Sequence, residues 1–337
     1  MTDFLNAFVL LANFVIVPAT AYGAQLALGA LGVTLIYSVL RFANFAHGDT
    51  MAFGTAVAIL FIWLLQAWGV SIAPLPTALL ALPIGILGAC ALALGTDRLV
   101  YRFYRRQRSA PVVFVMVSVG VMFIYNALTR FLIGVDDRRI DDGERFLFTV
   151  AQFRAATGLE QGLALRTSQV ITVVVMVIVT AAVFWFLQKT RTGKSMRAYS
   201  DNEDLALLSG INPDRVVRIT WLLAAALATI AGVLYGLDKS FRPFTYFQIL
   251  LPIFAAAIVG GIGQPFGAIA GGFIIAFAET AFTYAYRGFL GYVLPEGWVP
   301  PGLVQLLSTD YKFAVSFIIL VIVLLVRPTG IFRGRVL

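Results

Sequence analysis

Charge is what this chain has least of. Only 12% of its 337 residues are Asp, Glu, Lys or Arg, about half of the ~25% usual in a soluble domain. With 60% hydrophobic residues and a mean hydropathy of +0.89, too little polar surface remains to cover a sphere in water, which excludes a soluble globular protein. Cysteine is nearly missing. Cys90 stands alone inside an apolar run, so no disulfide framework can form within the chain. With His47 as the one histidine, an all-Cys/His zinc site is excluded too. Met1-Thr2-Asp3 lacks the positive start of a cleaved signal peptide, so the first apolar run is expected to be retained. No paired carboxylates, nucleophile–base pair or metal cluster share a setting, so neither catalysis nor a cofactor is expected.

What is abundant is apolar sequence in stretches of about 20 residues, each long enough to cross a ~30 Å hydrocarbon core. The stretches are continuous rather than alternating, which points to helices and not a barrel. The expectation is an all-α polytopic membrane protein of eight to ten transmembrane helices, one domain over residues 1–337. Spans are read at 4–17, 20–40, 50–69, 76–96, 111–134, 168–188, 216–237, 249–262, 263–286 and 313–326. The 249–262 stretch is short and meets its neighbour at Gly263-Gln264-Pro265, so it reads equally as a half-helix or re-entrant segment.

The net charge of +8 does not call for nucleic acid, because the basic residues cluster in short loops. Arg98–Arg108, Lys189–Arg218 and the tail with Arg327, Arg333 and Arg335 fall on one face of a ten-span path, the cytoplasmic face by the positive-inside rule. Residues 135–167, where Asp136, Asp137, Asp141 and Asp142 interleave with arginines, are placed outside. Five spans followed by five that start on the opposite face suggest a 5+5 inverted repeat.

The polar stretch 189–215 interrupts the second half. Ser200 and Glu203 have capping-box spacing, Leu205-Ala-Leu-Leu208 follows, and Gly210 sits where a left-handed cap belongs. Asn212-Pro213 then opens the next helix. A short capped helix between two spans suits the grip of a partner. Gly193-Lys194-Ser195 looks like the end of a phosphate-binding loop, but Gln188 stands where its first glycine is required and no strand precedes it, so ATP binding is not expected here.

Three further features each carry two readings. Phe42-Ala-Asn-Phe-Ala-His-Gly-Asp49 is either a helix break lining a path or an inter-helix turn with Asp49 capping the next span. The glycines of 259–272 serve close helix packing, a hinge, or both. Glu279, read as the one acid inside the membrane, costs about 2.5–3.5 kcal/mol there and must face the bundle or a cavity, for packing or for transport.

Taken in order, Asn44-Phe-Ala-His-Gly-Asp49, Arg98-Leu-Val-Tyr-Arg102, Thr190-Arg-x-Gly193 with Arg197-Ala198, Asp201 and Gly210-Ile-Asn212, Gly260-Gly-Ile-Gly263 with Gly267-Ala268 and Gly271-Gly272, and Arg327-Pro-Thr-Gly-Ile331 resemble the permease subunits of branched-chain amino acid ABC importers. The chain is most similar to the smaller of the two paired permeases. The resemblance implies a non-catalytic half-channel in the lipid of the bacterial inner membrane. Its expected partners are a second, related permease as a heterodimer, two cytoplasmic ATP-binding subunits and a periplasmic solute-binding protein. Residues 189–215 correspond to the cytoplasmic coupling loop, with Arg197, Ala198, Asp201, Ala206, Leu208 and Gly210 as the ATPase contact. Asn44, His47, Gly48, Asp49, Gly260, Gly261, Gly263, Gly267 and Glu279 are the candidates for translocation path or hinge. The family also serves urea, short amides and aromatic acids. An ion-coupled secondary transporter is the competing class, and it would need more intramembrane carboxylates than Glu279 alone.

Overall fold

The computed structural model describes residues 2–140, 143–295, 298–300 and 302–332. Asp141, Asp142, Arg333 and Arg335 lie outside the described residues. The chain begins with α1 (Thr2–Leu11), a π-helical turn (Ala12–Ile16) and α2 (Val17–Leu40). Next come α3 (His47–Ala67) and α4 (Ala78–Thr96), which passes through a second π-helical turn (Asp97–Tyr101) into α5 (Arg102–Arg106). After α6 (Pro111–Ile133), an excursion carries β1 (Phe146–Phe148), α7 (Val150–Thr157) and β2 (Leu165–Arg166), the two strands pairing antiparallel. Then follow α8 (Thr167–Lys189), α9 (Arg191–Asp201), α10 (Glu203–Leu208) and α11 (Pro213–Asp238). The last part holds α12 (Pro243–Gly260), α13 (Pro265–Thr283), α14 (Arg287–Val293) and α15 (Lys312–Val326). Proline begins α6, α11, α12 and α13, where its missing N–H is no loss and its fixed φ suits the first turn.

Among the described residues nine helices are long and apolar enough to cross a membrane. The protein is an all-α, multi-pass membrane protein. The difference from ten lies at the start: residues read as spans 4–17 and 20–40 are one apolar helix, Thr2–Leu40. No turn residue separates them, and the chain absorbs the junction in the π-helical turn just before Pro18. The 5+5 repeat rested on splitting that helix and loses this support. The 249–262 stretch belongs to an 18-residue helix, α12, of spanning length, because the helix starts earlier, at Pro243.

Contacts between loops sort the two ends of the bundle. On one face the Asn6 side chain accepts from the Gln161 N–H at 3.2 Å, Gln161 donates to Tyr292 at 2.8 Å, the Glu144 N–H reaches the Pro74 carbonyl at 3.0 Å, and Arg138 and Phe241 exchange backbone bonds. On the other face Arg41 bonds the Ser200 carbonyl, Arg102 pairs with Asp214 at 3.2 Å, and the Ile331 N–H reaches the Val259 carbonyl at 2.9 Å. Arg98–Arg108, Lys189–Arg218 and Arg327 therefore share a face. The N-terminal end of the chain lies on the opposite one, together with the 143–166 excursion.

The centre of the bundle is α2 against α11 and α13, lined by small residues such as Ala24, Ala27, Ala30, Ala224 and Ala228, all essentially inaccessible. Lipid tails are as apolar as leucine, so helices gain from close backbone approach rather than from burial alone. The α12–α13 crossing is tightest: a β-carbon at Gly260 would collide with the Gly267 carbonyl.

The helix count gives a labelling test. In a Cys90→Ala background, single cysteines at Asp3 and Thr157 should react with an impermeant thiol reagent in intact cells. Cysteines at Gln107 and Asn202 should react only after permeabilisation. A protected Asp3 position beside a reactive Thr157 position would restore the ten-span path.

Candidate functional site: a capped surface helix and a buried helix break

On the basic face α9 and α10 stand outside the spans, each with its own cap. The Thr190 hydroxyl accepts from the Gly193 N–H at 3.0 Å, and the Asn202 side chain accepts from the Leu205 N–H at 3.0 Å. The capping box expected at Ser200 and Glu203 is not what forms. Ser200 continues α9, Asn202 breaks the helix with φ −149°, and the Glu203 carboxylate instead accepts from the Tyr199 hydroxyl at 2.5 Å. Asn is as strong a cap as Ser, and Ser200 is already committed within α9. Burial and that bond to Glu203 push the Tyr199 hydroxyl above its usual range, so it stays a donor. The far end matches the expectation: Gly210 is left-handed at φ +78°, with Ile211 N–H reaching back to the Ala206 carbonyl at 3.0 Å. Asn212 caps α11, accepting from the Arg215 N–H at 3.2 Å.

Of the residues expected to meet a partner, Arg197, Ala198, Asp201, Leu208 and Gly210 are exposed and Ala206 is buried beneath them. Leu208 is 87% exposed and Leu205 62%, on a helix that lies outside the spans. Arg41 fastens this layer to the bundle. It caps α2 in a left-handed conformation, φ 60°, and donates from its guanidinium to the Ser200 carbonyl. Sequence reasoning missed Arg41. Its signal is a basic residue at the end of an apolar run, next to the polar Asn44–Asp49 motif.

From Arg41 the chain turns back into the protein. Phe42, Asn44, Ala46, His47 and Asp49 are all buried, though residues 42–46 are not helical. The Phe45 N–H is held by Ser118, two turns inside α6, at 3.1 Å. The Asn44 side chain accepts from the Ala46 N–H at 3.2 Å and from the Tyr101 hydroxyl at 3.3 Å. His47 packs on Gly32 of α2, and Gly48 lies against the Tyr246 carbonyl of α12. The segment is a buried connection between α2 and α3. Asp49 caps nothing; it accepts from the Asn126 side chain at 2.8 Å, so a second acid joins Glu279 inside the bundle. The space beside Asn44 and His47 measures about 10 Å³, room for roughly one water.

A second polar layer supports the break. Asp97, buried in the π-helical turn, accepts two bonds from Arg105 at 2.6 and 3.2 Å and one from the Trp221 indole at 2.9 Å. Trp221 stacks on Tyr101 with ring centroids 5.0 Å apart, and Tyr101 packs on Phe42 at 5.5 Å. The π-turn is the device that lets Asp97 and Tyr101 both face inward.

Gly260, Gly261, Gly263 and Gly267 form the α12–α13 turn on the same face. Gly261 and Gly263 take positive φ, +108° and +85°, while Gly260 and Gly267 meet backbone to backbone. The Arg327–Ile331 motif folds onto this turn: Ile331 and Phe332 donate to the Val259 and Gly260 carbonyls, and Phe332 packs edge-on against Phe266 at 5.5 Å. Close packing thus accounts for Gly260 and Gly267, and the positive φ of the turn for Gly261 and Gly263.

Glu279 is fully buried toward the opposite face. Ser316 donates to its carboxylate, and the Lys312 ammonium lies 3.5 Å away and 3.8 Å from the centre of the Tyr22 ring. The structure brings Glu279 to α15 and not to the Asn44–Asp49 break. Lys312 was missed because it starts a span, where a lysine reads as an interface anchor.

The profile of the family described as branched-chain amino acid transport system / permease component matches residues 15–324. The chain is 30% identical over 315 residues to the high-affinity branched-chain amino acid transport system permease protein LivH of Escherichia coli K12, covering 92% of this chain and 91% of that one. It is 29% identical over 314 residues to BraD, the permease protein of the corresponding system of Pseudomonas aeruginosa, covering 92% of each. Among solved structures, a chain of PsaBC from Streptococcus pneumoniae in complex with Fab overlays with TM-score 0.48 at 13% identity, over 93% of this chain and 91% of that chain.

The Glu279–Lys312 pair lends itself to a double-mutant cycle. Removing one partner of a buried pair costs about 3–5 kcal/mol. Lys312 keeps 27% of its side chain exposed, so Glu279→Leu should cost near the lower end, about 3 kcal/mol, in thermal unfolding of the detergent-solubilised protein. Glu279→Leu with Lys312→Leu should recover most of that loss. Strictly additive single changes would mean the two charges are not coupled.

Proposed function

Because the chain belongs to the branched-chain amino acid transport system permease family, we propose that it forms one half of the translocation pathway of an ABC importer in the bacterial inner membrane. The other half is a second, related permease, and the passage runs between the two. The space beside Asn44 and His47, about 10 Å³, is too small for a solute, which fits that division. Two cytoplasmic ATP-binding subunits drive the cycle, and a periplasmic solute-binding protein delivers the solute. The positive-inside rule makes the basic face cytoplasmic. Leucine, isoleucine and valine are the proposed solutes, supported by relatives aligned over nearly their whole length that carry branched-chain amino acids in their names.

The single observation that carries the coupling role is α10: a capped helix on the basic face, outside the spans, with Leu205, Leu207 and Leu208 exposed. Leucines on an aqueous loop call for a partner surface. Arg197, Ala198, Asp201, Leu208 and Gly210 form the contact, with Ala206 as its buried footing. Movement of this layer reaches the bundle through Arg41, which holds the Ser200 carbonyl and begins the chain's turn toward Asn44, His47, Gly48 and Asp49. These residues, with the Gly260–Gly267 turn on the same face, are the proposed hinge. Glu279 anchors α13 to α15 on the outer side.

The test uses the reconstituted complex. Leu208→Asp should leave membrane insertion intact and lower both leucine uptake and solute-stimulated ATP hydrolysis at least tenfold, since a charge buried unpaired in a contact costs several kcal/mol. Gly210→Val, which forces a β-branched residue to positive φ, should weaken both more mildly, by about 1–2 kcal/mol. Full ATPase binding and full stimulated hydrolysis in Leu208→Asp would show that α10 is not the coupling element.

A further inference from the structure

Arginine is concentrated in one place that the coupling role does not use. Where α4 runs through its π-helical turn into α5 it lies beside the first turns of α11, and between them opens a cavity of about 440 Å³. Leu94, Asp97, Arg98, Arg102, Asp214 and Arg218 line it. Both carboxylates are already engaged. Asp97 is held by Arg105 and the Trp221 indole, and Asp214 by Arg102 at 3.2 Å and Arg105 at 4.0 Å. Arg218 spends only its Nε, on the Asp214 carbonyl at 3.1 Å. Arg98 takes part in none of the ion pairs among the described residues. Four arginines thus face two carboxylates, and the unspent guanidinium donors belong to Arg98 and Arg218.

The surroundings narrow the ligand. Arg98 and Leu94 sit in the last turns of the apolar helix Ala78–Arg106, not on a loop in water. Leu99, next to Arg98 in the π-turn, is 80% exposed, and Leu87, two turns before Leu94, is 64% exposed. Exposed leucines leading into a cluster of arginines at a helix end match an amphiphile with an anionic head and an acyl chain. The cavity volume is within the ~300–1,000 Å³ usual for a small-ligand site. Basic pockets between transmembrane helices on the cytoplasmic side hold anionic lipid headgroups for the same reason. We propose that this groove binds the phosphodiester of an anionic phospholipid from the leaflet on the basic face, with Arg98 and Arg218 as the donors to phosphate and Leu94 and Leu87 along the acyl chain. Asp97 and Asp214 fix the other two arginines and keep the groove open. Lipid composition then acts on the junction of α5 and α11, the base of the layer that carries α9 and α10.

The experiment is lipid retention by the purified complex in native mass spectrometry, with phosphatidylglycerol titrated against phosphatidylcholine in nanodiscs. An arginine near an anionic membrane surface contributes about a fivefold gain in affinity, so Arg98→Ala and Arg218→Ala should each weaken phosphatidylglycerol binding about fivefold. Arg98→Lys with Arg218→Lys should stay close to wild type. Arg218→Ala guards against a folding artefact, because that side chain is exposed and bonds only its own helix. Undiminished phosphatidylglycerol retention in Arg98→Ala with Arg218→Ala would overturn the proposal. So would displacement of the lipid by millimolar inorganic phosphate, which would make the site one for a free anion.

Discussion

A backbone polar group that enters lipid has no water to fall back on and must find its partner inside the protein. That requirement shapes this molecule. It makes nearly every span a closed helix, and it decides where a span can stop short. Residues 42–46 leave helical geometry inside the bundle, and three N–H groups there find partners: Ser118 for Phe45, the Asn44 side chain for Ala46, the Asn44 carbonyl for His47. Asn44 is itself held by Tyr101, which leans on Trp221, which donates to Asp97. The break is surrounded by a polar layer drawn from the π-turn, α5, α6 and α11.

The same layer explains why the surface helices sit where they do. Asp97 draws Arg105 inward, Arg105 and Arg102 bracket Asp214 at the start of α11, and Asn212 caps that start. Asn212 closes the segment that Thr190 opens. Between them α9 is tied at Ser200 to Arg41, and Arg41 is the residue from which the break departs. Polar and aromatic contacts therefore link the base of α9 and α11 to the buried Asn44. None of these bonds is strong alone, at about 0.5–3 kcal/mol each. Their value is positional, since a bundle packed backbone to backbone, as at Gly260 and Gly267, moves as pieces rather than by bending.

Much of this was legible in the sequence, and the rest was not, for identifiable reasons. Apolar run length located the spans, because the bilayer sets it. Gly210 and Asn212-Pro213 announced a cap and a helix start, because few residue types tolerate those conformations. The fusion of 4–17 with 20–40 was hidden, since Pro18 is as acceptable near the start of a helix as it is after a π-turn. Asn202 outcompeted Ser200 for the cap, and two neighbouring residues of equal capping strength cannot be ranked without knowing that Arg41 holds the Ser200 carbonyl. The partners of Asn44 and Asp49 were unreadable for a broader reason. Asn126, Tyr101 and Trp221 lie far away in sequence, and each looks ordinary in its own helix.

Glu279 and Asp49 show how far a buried charge can be read from composition. Each is costly inside a bundle, and cost alone invites a role in transport. The structure separates them by their company. Glu279 has Lys312 and Ser316, so its charge is met and its work is to hold α13 against α15. Asp49 has Asn126 as a hydrogen-bond donor and the charge of Arg130 nearby, and each of the two carboxylates keeps one oxygen without a hydrogen bond. Asp49 ties α3 to α6 close to where the chain turns, and Glu279 ties α13 to α15, so each buried acid holds its place by joining two spans.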